Sequence, residues 1–470
     1  MSALKKQIEI VTSEPACEKN QAKSAGERKK GCGKQLTPGA GAGGCAFDGA
    51  KIALQPIVDV AHIVHGPIAC EGNSWDSRHS FSSGSNLYRT GFTTDMNEFD
   101  VIYGGEKRLY KAIREVVEKY DPPAVFVYST CVSAMIGDDL DAVCKAAKAK
   151  FGRPVVPINV PGFTGSKNLG AKLAGEALLE HVIGTEEPDD AGPCDINIIA
   201  EFNVAGDLWN VKPLLDRLGI RIRACITGDA CYRDIATAHR AKAAMMVCSK
   251  AMINVARKMD ERWNIPYFEG SFFGISDTSA ALRNIASLLV QQGAPADLLP
   301  RTEALIAEEE AKVWARLEPY KARVAGKRVL IFTGGVKSWS MLAALKEIGM
   351  DIFGTSTRKS TGEDKARIAE IMGTDQHMFD ELPPREMYRI LKDAQADIML
   401  SGGRSQFVAL KAKMPWVEVN QERHVAYAGY DGIVTMVEEI AKSLGSPIWE
   451  QVRKPAPWES EEGSACHGDR

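Results

Sequence analysis

The chain has 470 residues, of which 45% are hydrophobic and 25% charged, and its formal net charge is −3. This length predicts roughly two to four globular domains. The near-neutral charge excludes a broad basic surface for nucleic acid, and no apolar run is long enough to span a bilayer. We therefore expect a large protein that binds neither nucleic acid nor a membrane.

The two ends of the chain differ in composition from the rest. Residues 1–44 are polar and basic and then rich in Gly and Ala, which is typical of an extended arm, and residues 459–470 are polar and predicted to be disordered. The amino terminus lacks the apolar core of a secretory signal, so we expect a cytoplasmic protein. In that compartment an odd count of eleven cysteines favours thiolate ligation of metal over disulfides.

Between these ends, short apolar runs alternate with segments of helical periodicity, which predicts an α/β fold with mainly parallel sheets. The predicted strands are Ala124–Tyr128, Val155–Val160, Ile196–Ala200, Ile220–Ile226, Ala243–Val247, Val329–Phe332, Met350–Phe353 and Ile398–Leu400. An acidic, turn-rich stretch at 187–193 and a helical segment ending before Gly326 predict boundaries. We expect three Rossmann-like domains, at 45–187, 188–325 and 326–458.

Small and polar residues follow five of these runs. Because parallel sheets bind ligands outside the carboxyl ends of their strands, these positions are candidate sites. They are Ser129-Thr130-Cys131, Glu201-Phe202-Asn203, Cys248-Ser249-Lys250, Thr333-Gly334-Gly335 and Ser401-Gly402-Gly403-Arg404. Neither a Walker A sequence nor a G-x-G-x-x-G fingerprint is present, which argues against a nucleotide ligand.

Three cysteines lie in loops suited to close approach. Cys45 and Cys70 are flanked by glycines, and Cys131 follows a predicted strand. Backbone amides that turn toward sulfur tune iron–sulfur centres, but a four-iron cluster normally takes four cysteines. The fourth ligand then comes either from this chain or from a partner. Each cysteine taken alone would more often be a core thiol, which is how we interpret Cys144.

Two further features have competing interpretations. Cys248 ends the apolar run Met245-Met246-Val247, which is typical of a buried strand that stops at a cleft, although a lone cysteine there is more often core. His62 and His65 alternate with apolar residues just before the Cys70 loop. We interpret them as hydrogen-bonded core histidines or as supports for a metal site.

Several longer motifs resemble one family. GGCAFDGA, HGPIACEG, STCVSAMIGDD, MMVCSK, YFEGSFFG and YAGYDG resemble the NifE family, whose members pair with NifN-type subunits as scaffolds for assembling the nitrogenase cofactor. The resemblance extends from about residue 39 to 458 and implies a nitrogenase component-1-like fold. The amino-terminal arm, Glu71 and Asn73 are more similar to VnfE, the member of the vanadium system.

The resemblance implies roles for four cysteines. Cys45, Cys70 and Cys131 are expected to ligate a [4Fe-4S] cluster at the interface with a NifN- or VnfN-type β subunit, which supplies the fourth cysteine within an α2β2 heterotetramer. Cys248 is expected to anchor an 8Fe-type iron–sulfur precursor of the cofactor. The related catalytic subunit holds the other end of its cofactor through a histidine.

At the position of that histidine this chain has Asn420, a poor iron ligand, and His424 four residues later is the alternative. Ligation at one end only suits release of the cofactor. Other residues are expected around the same cleft, where they would offset the negative charge of the cluster or bind homocitrate. The competing interpretation is that their cations are solvated at the surface. They are Lys337 with Gly334 and Gly335, Lys167 and Arg404.

The expected function is therefore maturation of the iron–vanadium or iron–molybdenum cofactor precursor on a scaffold, more than enzymatic turnover. Its further partners would be the nitrogenase iron protein, cluster donors and cofactor carriers. The alternative is the α subunit of a reductase of the nitrogenase or protochlorophyllide-reductase type. Asn420 argues against a nitrogenase, and the Cys248 motif argues against a protochlorophyllide-type reductase.

Overall fold

The computed structural model describes residues 44–76, 80–333, 336–357, 360–373, 377–379, 382–420 and 423–455, without the side chains of 75–76, 249–250 and 336–337. The predicted arm up to residue 43 and the predicted tail at 459–470 lie outside the described residues. Within the described ranges, no helix combines the length and apolar character that a membrane span requires.

The described residues form three sheets in which all neighbouring strands are parallel. The first contains β1 (Ala61–His65), β2 (Phe92–Thr93), β3 (Val125–Ser129) and β4 (Val155–Ile158), in the order β2-β1-β3-β4. Its helices are α1 (Ala46–Leu54), α2 (Ile68–Asp76), α3 (Glu98–Tyr103), α4 (Glu106–Tyr120), α5 (Cys131–Ile136), α6 (Leu140–Phe151) and α7 (Lys167–His181).

The second sheet contains β5 (Asp195–Glu201), β6 (Arg221–Thr227), β7 (Ala243–Met246) and β8 (Tyr267–Glu269), in the order β6-β5-β7-β8. Its helices are α8 (Asp207–Leu218), α9 (Tyr232–Thr237), α10 (Ser249–Trp263), α11 (Ile275–Gln291) and α12 (Leu298–Val324).

The third sheet contains β9 (Arg328–Phe332), β10 (Asp351–Ser356), β11 (Met378–Phe379), β12 (Ile398–Ser401) and β13 (Trp416–Glu418), in the order β11-β10-β9-β12-β13. Its helices are α13 (Val336–Glu347), α14 (Gly362–Met372), α15 (Pro384–Asp393), α16 (Gln406–Lys411), α17 (Gly429–Leu444) and α18 (Ile448–Arg453). Short 3₁₀ helices lie at Leu87–Arg89, Gly162–Thr164, Val204–Gly206, Ala238–Arg240 and Gly403–Ser405.

The α/β class and the parallel sheets are confirmed, and each predicted strand coincides with an observed one within a few residues. Apolar runs predict these strands correctly because strands covered by helices on both faces need apolar residues throughout. One sheet falls in each predicted domain range, and the boundaries themselves stay predictions. Cys144 is buried in the first unit, as expected for a core thiol.

Five strands were missed, and β1 shows why. Its polar positions, His62 and His65, are fully buried, but each finds a partner: His62 Nδ1 lies 2.8 Å from the Tyr128 hydroxyl, and His65 Nε2 lies 2.8 Å from Asp138 Oδ2. The expectation of hydrogen-bonded core histidines is confirmed. The other missed strands, β2, β8, β11 and β13, are only two or three residues long, too short to form a recognisable apolar run.

Two apolar cores join the three sheets. One contains residues of the first and second sheets and their helices, and the other contains residues of the second and third. Because close-packed interiors resist deformation, the strand ends of neighbouring units are held in fixed relation.

Helix α7 packs very closely against α1. A Cβ atom added to Gly170 would lie 1.8 Å from the carbonyl oxygen of Ala46, and one added to Gly49 would lie 2.0 Å from that of Lys167. Only glycine permits this approach of two backbones. Since Cys45 immediately precedes α1, the contact fixes where its thiol lies.

We expect Gly170→Ala to lower the free energy of unfolding by about 1–3 kcal/mol, because the added methyl forces the two helices apart. The measurement is urea denaturation. Gly362→Ala is the matched control, since a Cβ there meets no atom within 4 Å and alanine favours the helix. An equal loss in both variants would contradict the close-contact interpretation.

Candidate metal centre and cleft

The three predicted cysteine ligands come from three elements at the carboxyl edge of the first sheet. Cys45 caps the amino terminus of α1, Cys70 lies in the first turn of α2 after β1, and Cys131 begins α5 after β3. Strands β1 and β3 are neighbours, so α2 and α5 start from the same edge. We call Cys45, Cys70 and Cys131 the three-cysteine site.

The structure brings these thiols together. A Cβ added to Gly162 would lie 3.0 Å from the sulfur of Cys45 and 3.0 Å from that of Cys131, so both sulfurs border one small space. Burial and then the charges of Cys131 and Cys45 raise the pKa of the Cys70 thiol. All three are free and partly exposed. Converging thiols that repel one another as thiolates are suited to a positively charged metal group.

Exposed apolar side chains lie on the elements around this site. Tyr103 is 81% exposed and Met135 is 79% exposed, and the helices that carry them, α3 and α5, are in contact. The others are Ile68, Phe99, Ile102 and Phe163. Exposed apolar side chains that lie close together are typical of interaction surfaces. Among the described residues, no three His, Cys, Asp or Glu side chains converge tightly enough to hold a single metal ion.

Cys248 lies at the carboxyl edge of the second sheet. It follows β7, whose continuation is held by a 2.9 Å hydrogen bond from the Val247 N–H to the Ile199 carbonyl, and it caps the amino terminus of α10. The thiol is partly exposed and packs against the same core as Cys45 and Cys70. The predicted arrangement, a buried strand that ends in a partly accessible cysteine, is confirmed.

Asn420 lies where three strands of the third sheet end. Its side-chain oxygen accepts a 2.7 Å hydrogen bond from the Thr333 hydroxyl, and a Cβ added to Gly402 would lie 2.8 Å from its side-chain nitrogen. Thr333 follows β9 and Gly402 follows β12, the two strands between which the strand order reverses. This is the position at which doubly wound sheets bind ligands.

The remaining predicted residues are divided between two places. Arg404 and His424 are both exposed and line a cavity of about 940 Å³ together with Phe407 and Trp449. Lys167, predicted in the cleft of Cys248, instead forms a 2.7 Å ion pair with Asp48 of α1 and lies beside Cys45. Gly334, Gly335 and the side chain of Lys337 lie outside the described residues.

The sequence reasoning missed a buried ion pair that links the second and third units. Arg423 and Asp207 are each about 1% exposed, and their side chains form a direct ion pair. Asp207 also accepts hydrogen bonds from the backbone of Tyr427 and Ala428, and Arg423 donates to the carbonyl of Asn420. The pair therefore ties the segment after Asn420 to the start of α8.

Comparison with known proteins places this arrangement in a family. The family described as Nitrogenase component 1 type Oxidoreductase matches residues 45–444. A protein of Bradyrhizobium diazoefficiens, named nitrogenase iron-molybdenum cofactor biosynthesis protein NifE, is 65% identical over 98% of this chain and 84% of its own length. The chain belongs to the NifE family.

More distant relatives agree with this placement. Proteins of the same name from a Nostoc species and from Klebsiella pneumoniae are 56% and 50% identical, over 98% and 96% of this chain and 95% and 99% of their own lengths. A solved structure described as nitrogenase Cp1 at pH 5 superposes with a TM-score of 0.81 at 26% identity, covering 90% of this chain and 92% of that one. The nitrogenase component-1-like fold is thus confirmed.

The resemblance to the vanadium branch receives no support from these relatives, whose names all refer to the iron–molybdenum cofactor. Glu71, one basis of that interpretation, has a structural role in this chain. It forms a buried ion pair with Lys51.

We expect Asp207→Asn to lower the free energy of unfolding by about 3–5 kcal/mol, because it leaves the buried Arg423 charge unpaired. The measurement is chemical denaturation. Asp431→Asn, which removes an exposed partner of Arg316, is the matched control and should cost under about 1 kcal/mol. Similar losses in the two variants would show that the buried ion pair contributes no more to stability than an exposed one.

Proposed function

We propose that this chain is the α-type subunit of a scaffold complex on which the precursor of the nitrogenase iron–molybdenum cofactor is matured before transfer. The observation that carries the proposal is the convergence of the Cys45, Cys70 and Cys131 thiols at an exposed apolar face. The relatives' names supply the pathway, because each is a cofactor biosynthesis protein.

The three-cysteine site fits an iron–sulfur cluster. Its donors are soft thiols, the ligand type that iron–sulfur clusters take, and Gly162 leaves open the space that a side chain would fill between two of the sulfurs. When bound, a [4Fe-4S] cluster relays single electrons. The role of this chain is to hold three ligands and to leave the fourth position to a partner.

The partner in this proposal is a NifN-type β subunit in an α2β2 heterotetramer. The exposed apolar side chains around the three-cysteine site offer it a surface, and a cluster ligated from both chains would couple metal binding to assembly. The nitrogenase iron protein, cluster donors and cofactor carriers complete the set of partners, which meet in the cytoplasm.

The cargo of the scaffold is an 8Fe-type iron–sulfur precursor anchored through Cys248. The thiol lies at the amino terminus of α10, where the helix dipole favours an anionic group. On the third sheet, Asn420 offers an amide already hydrogen-bonded to Thr333, in place of a basic imidazole. A single strong ligand suits a complex that must release its cargo.

Charged residues of the third unit have supporting roles in the same proposal. Arg404 and His424, at the 940 Å³ cavity, and Lys337 with Gly334 and Gly335 would bind the carboxylates of homocitrate. The relatives' names support molybdenum as the heterometal. Vanadium is the alternative, and metal analysis of the purified complex distinguishes the two.

For the three-cysteine site, we expect Cys70→Ala to abolish the interfacial cluster and weaken pairing with the β-type subunit, because one of its few ligands is lost. Iron content, the electron paramagnetic resonance signal and gel filtration of the anaerobically purified complex measure this. Cys231→Ala, an exposed thiol in another part of the chain, is the control and should leave all three unchanged. An intact cluster in the Cys70 variant would rule out the assignment.

For the cleft, we expect Cys248→Ala to lose the precursor iron while the interfacial cluster signal remains, because the two thiol sites lie on different sheets. Iron and sulfide analysis of the complex, compared with the Cys70 variant, measures the two pools separately. Retention of all iron beyond the interfacial cluster would show that Cys248 is not the anchor.

A further inference from the structure

A buried ion pair lies among the elements that carry the three cysteines. Lys51 Nζ lies 3.0 Å from Glu71 Oε2 and 3.2 Å from Oε1, and the two side chains are 0% and 6% exposed. Lys51 belongs to α1, which Cys45 caps, and Glu71 follows Cys70 directly in α2. The pair therefore joins the first two cysteine-bearing elements.

The third element contacts the same lysine. The Lys51 ammonium lies 5.4 Å from the ring centre of Tyr128, on β3, three residues before Cys131. The Tyr128 hydroxyl lies 2.8 Å from His62 Nδ1, and burial together with the Lys51 charge lowers the pKa of His62 to about 3, so the imidazole is neutral. Lys51 and Glu71 are thus a buried charged pair at this junction, in addition to Lys167 and Asp48 beside Cys45.

The glutamate end of the pair has further contacts. Glu71 Oε2 lies 3.4 Å from the Ser74 hydroxyl, which also donates to the Glu71 carbonyl at 3.0 Å. The carboxylate also lies close to the backbone of Gly91, where an added Cβ would be 3.2 Å from Glu71 Oε1. A fixed pair of this kind orients the side chains that bind a metal group.

We propose that Lys51 and Glu71 are positioning residues that hold the three cysteines in ligand geometry and balance the charge beside the bound cluster. This rests on the proposed function of the three-cysteine site. Two effects follow. Without metal, the pair keeps α1 and α2 together. With metal, the lysine and glutamate charges cancel, so removal of either one changes the potential of the cluster, because buried charges are weakly screened.

The test uses the anaerobically purified complex with its β-type partner and the variants Glu71→Gln, Lys51→Met and the double variant. Redox titration of the interfacial cluster signal should give a higher midpoint potential for Glu71→Gln, which leaves a positive charge, and a lower one for Lys51→Met. The double variant should return close to the wild-type potential. Shifts of the same sign in both single variants, or no shift, would overturn the charge balance.

A second measurement needs no cluster. After the metal is removed, alkylation of Cys70 by iodoacetamide, followed by mass spectrometry, should become several-fold faster in each single variant, because α2 loses its link to α1. The double variant, with a neutral pair of similar volume, keeps the test possible if a single variant folds poorly. Unchanged alkylation rates in both single variants would refute the positioning role.

The matched control is Asp195→Asn at the amino end of β5. It neutralises a buried carboxylate that forms ion pairs with Arg221 and Arg223. It should lower thermal stability without changing the cluster potential or the alkylation of Cys70. If it changed both as much as Glu71→Gln does, general destabilisation would replace positioning. Loss of the proposed function is recognised separately, by a cluster that survives Cys70→Ala.

Discussion

The close packing of helix α7 is the constraint on which both thiol sites depend. On one side it lies against α1 through Gly170 and Gly49, where backbone meets backbone. On the other side it lies against α10, whose Asn254 donates to Glu176 at 2.7 Å and whose Val255 packs over Gly175. Since Cys45 caps α1 and Cys248 caps α10, one helix sets the positions of both cysteines.

A different kind of contact holds the surroundings of Asn420. Arg423, three residues further along the chain, forms a buried ion pair with Asp207 that links the second and third units. Charges this deeply buried are costly unless paired, so their presence fixes one arrangement of the segment. The position of Cys248 thus depends on packed helices, and the surroundings of Asn420 depend on one ion pair.

In the function that we propose, the contrast between Asn420 and Cys248 adapts a nitrogenase-like frame to a scaffold. The frame itself is shared with nitrogenase Cp1, at a TM-score of 0.81. The proposed difference from a permanent holder is the chemistry at one strand end, where an amide bonded to Thr333 stands in place of an imidazole. On this proposal, one residue type favours release of the cargo without a change to the fold.

The sequence by itself determined the α/β class, most of the longer strands and the cysteines that are candidate metal ligands, because apolar runs and glycine-flanked thiols are local signals. It did not reveal β1, whose histidines have hydrogen-bond partners distant in the chain, among them Tyr128 and Asp138. Nor did it reveal that Glu71, one basis of the resemblance to the vanadium branch, pairs with Lys51. Ion pairs and close helix contacts join residues far apart in the chain, so only the tertiary structure decided them.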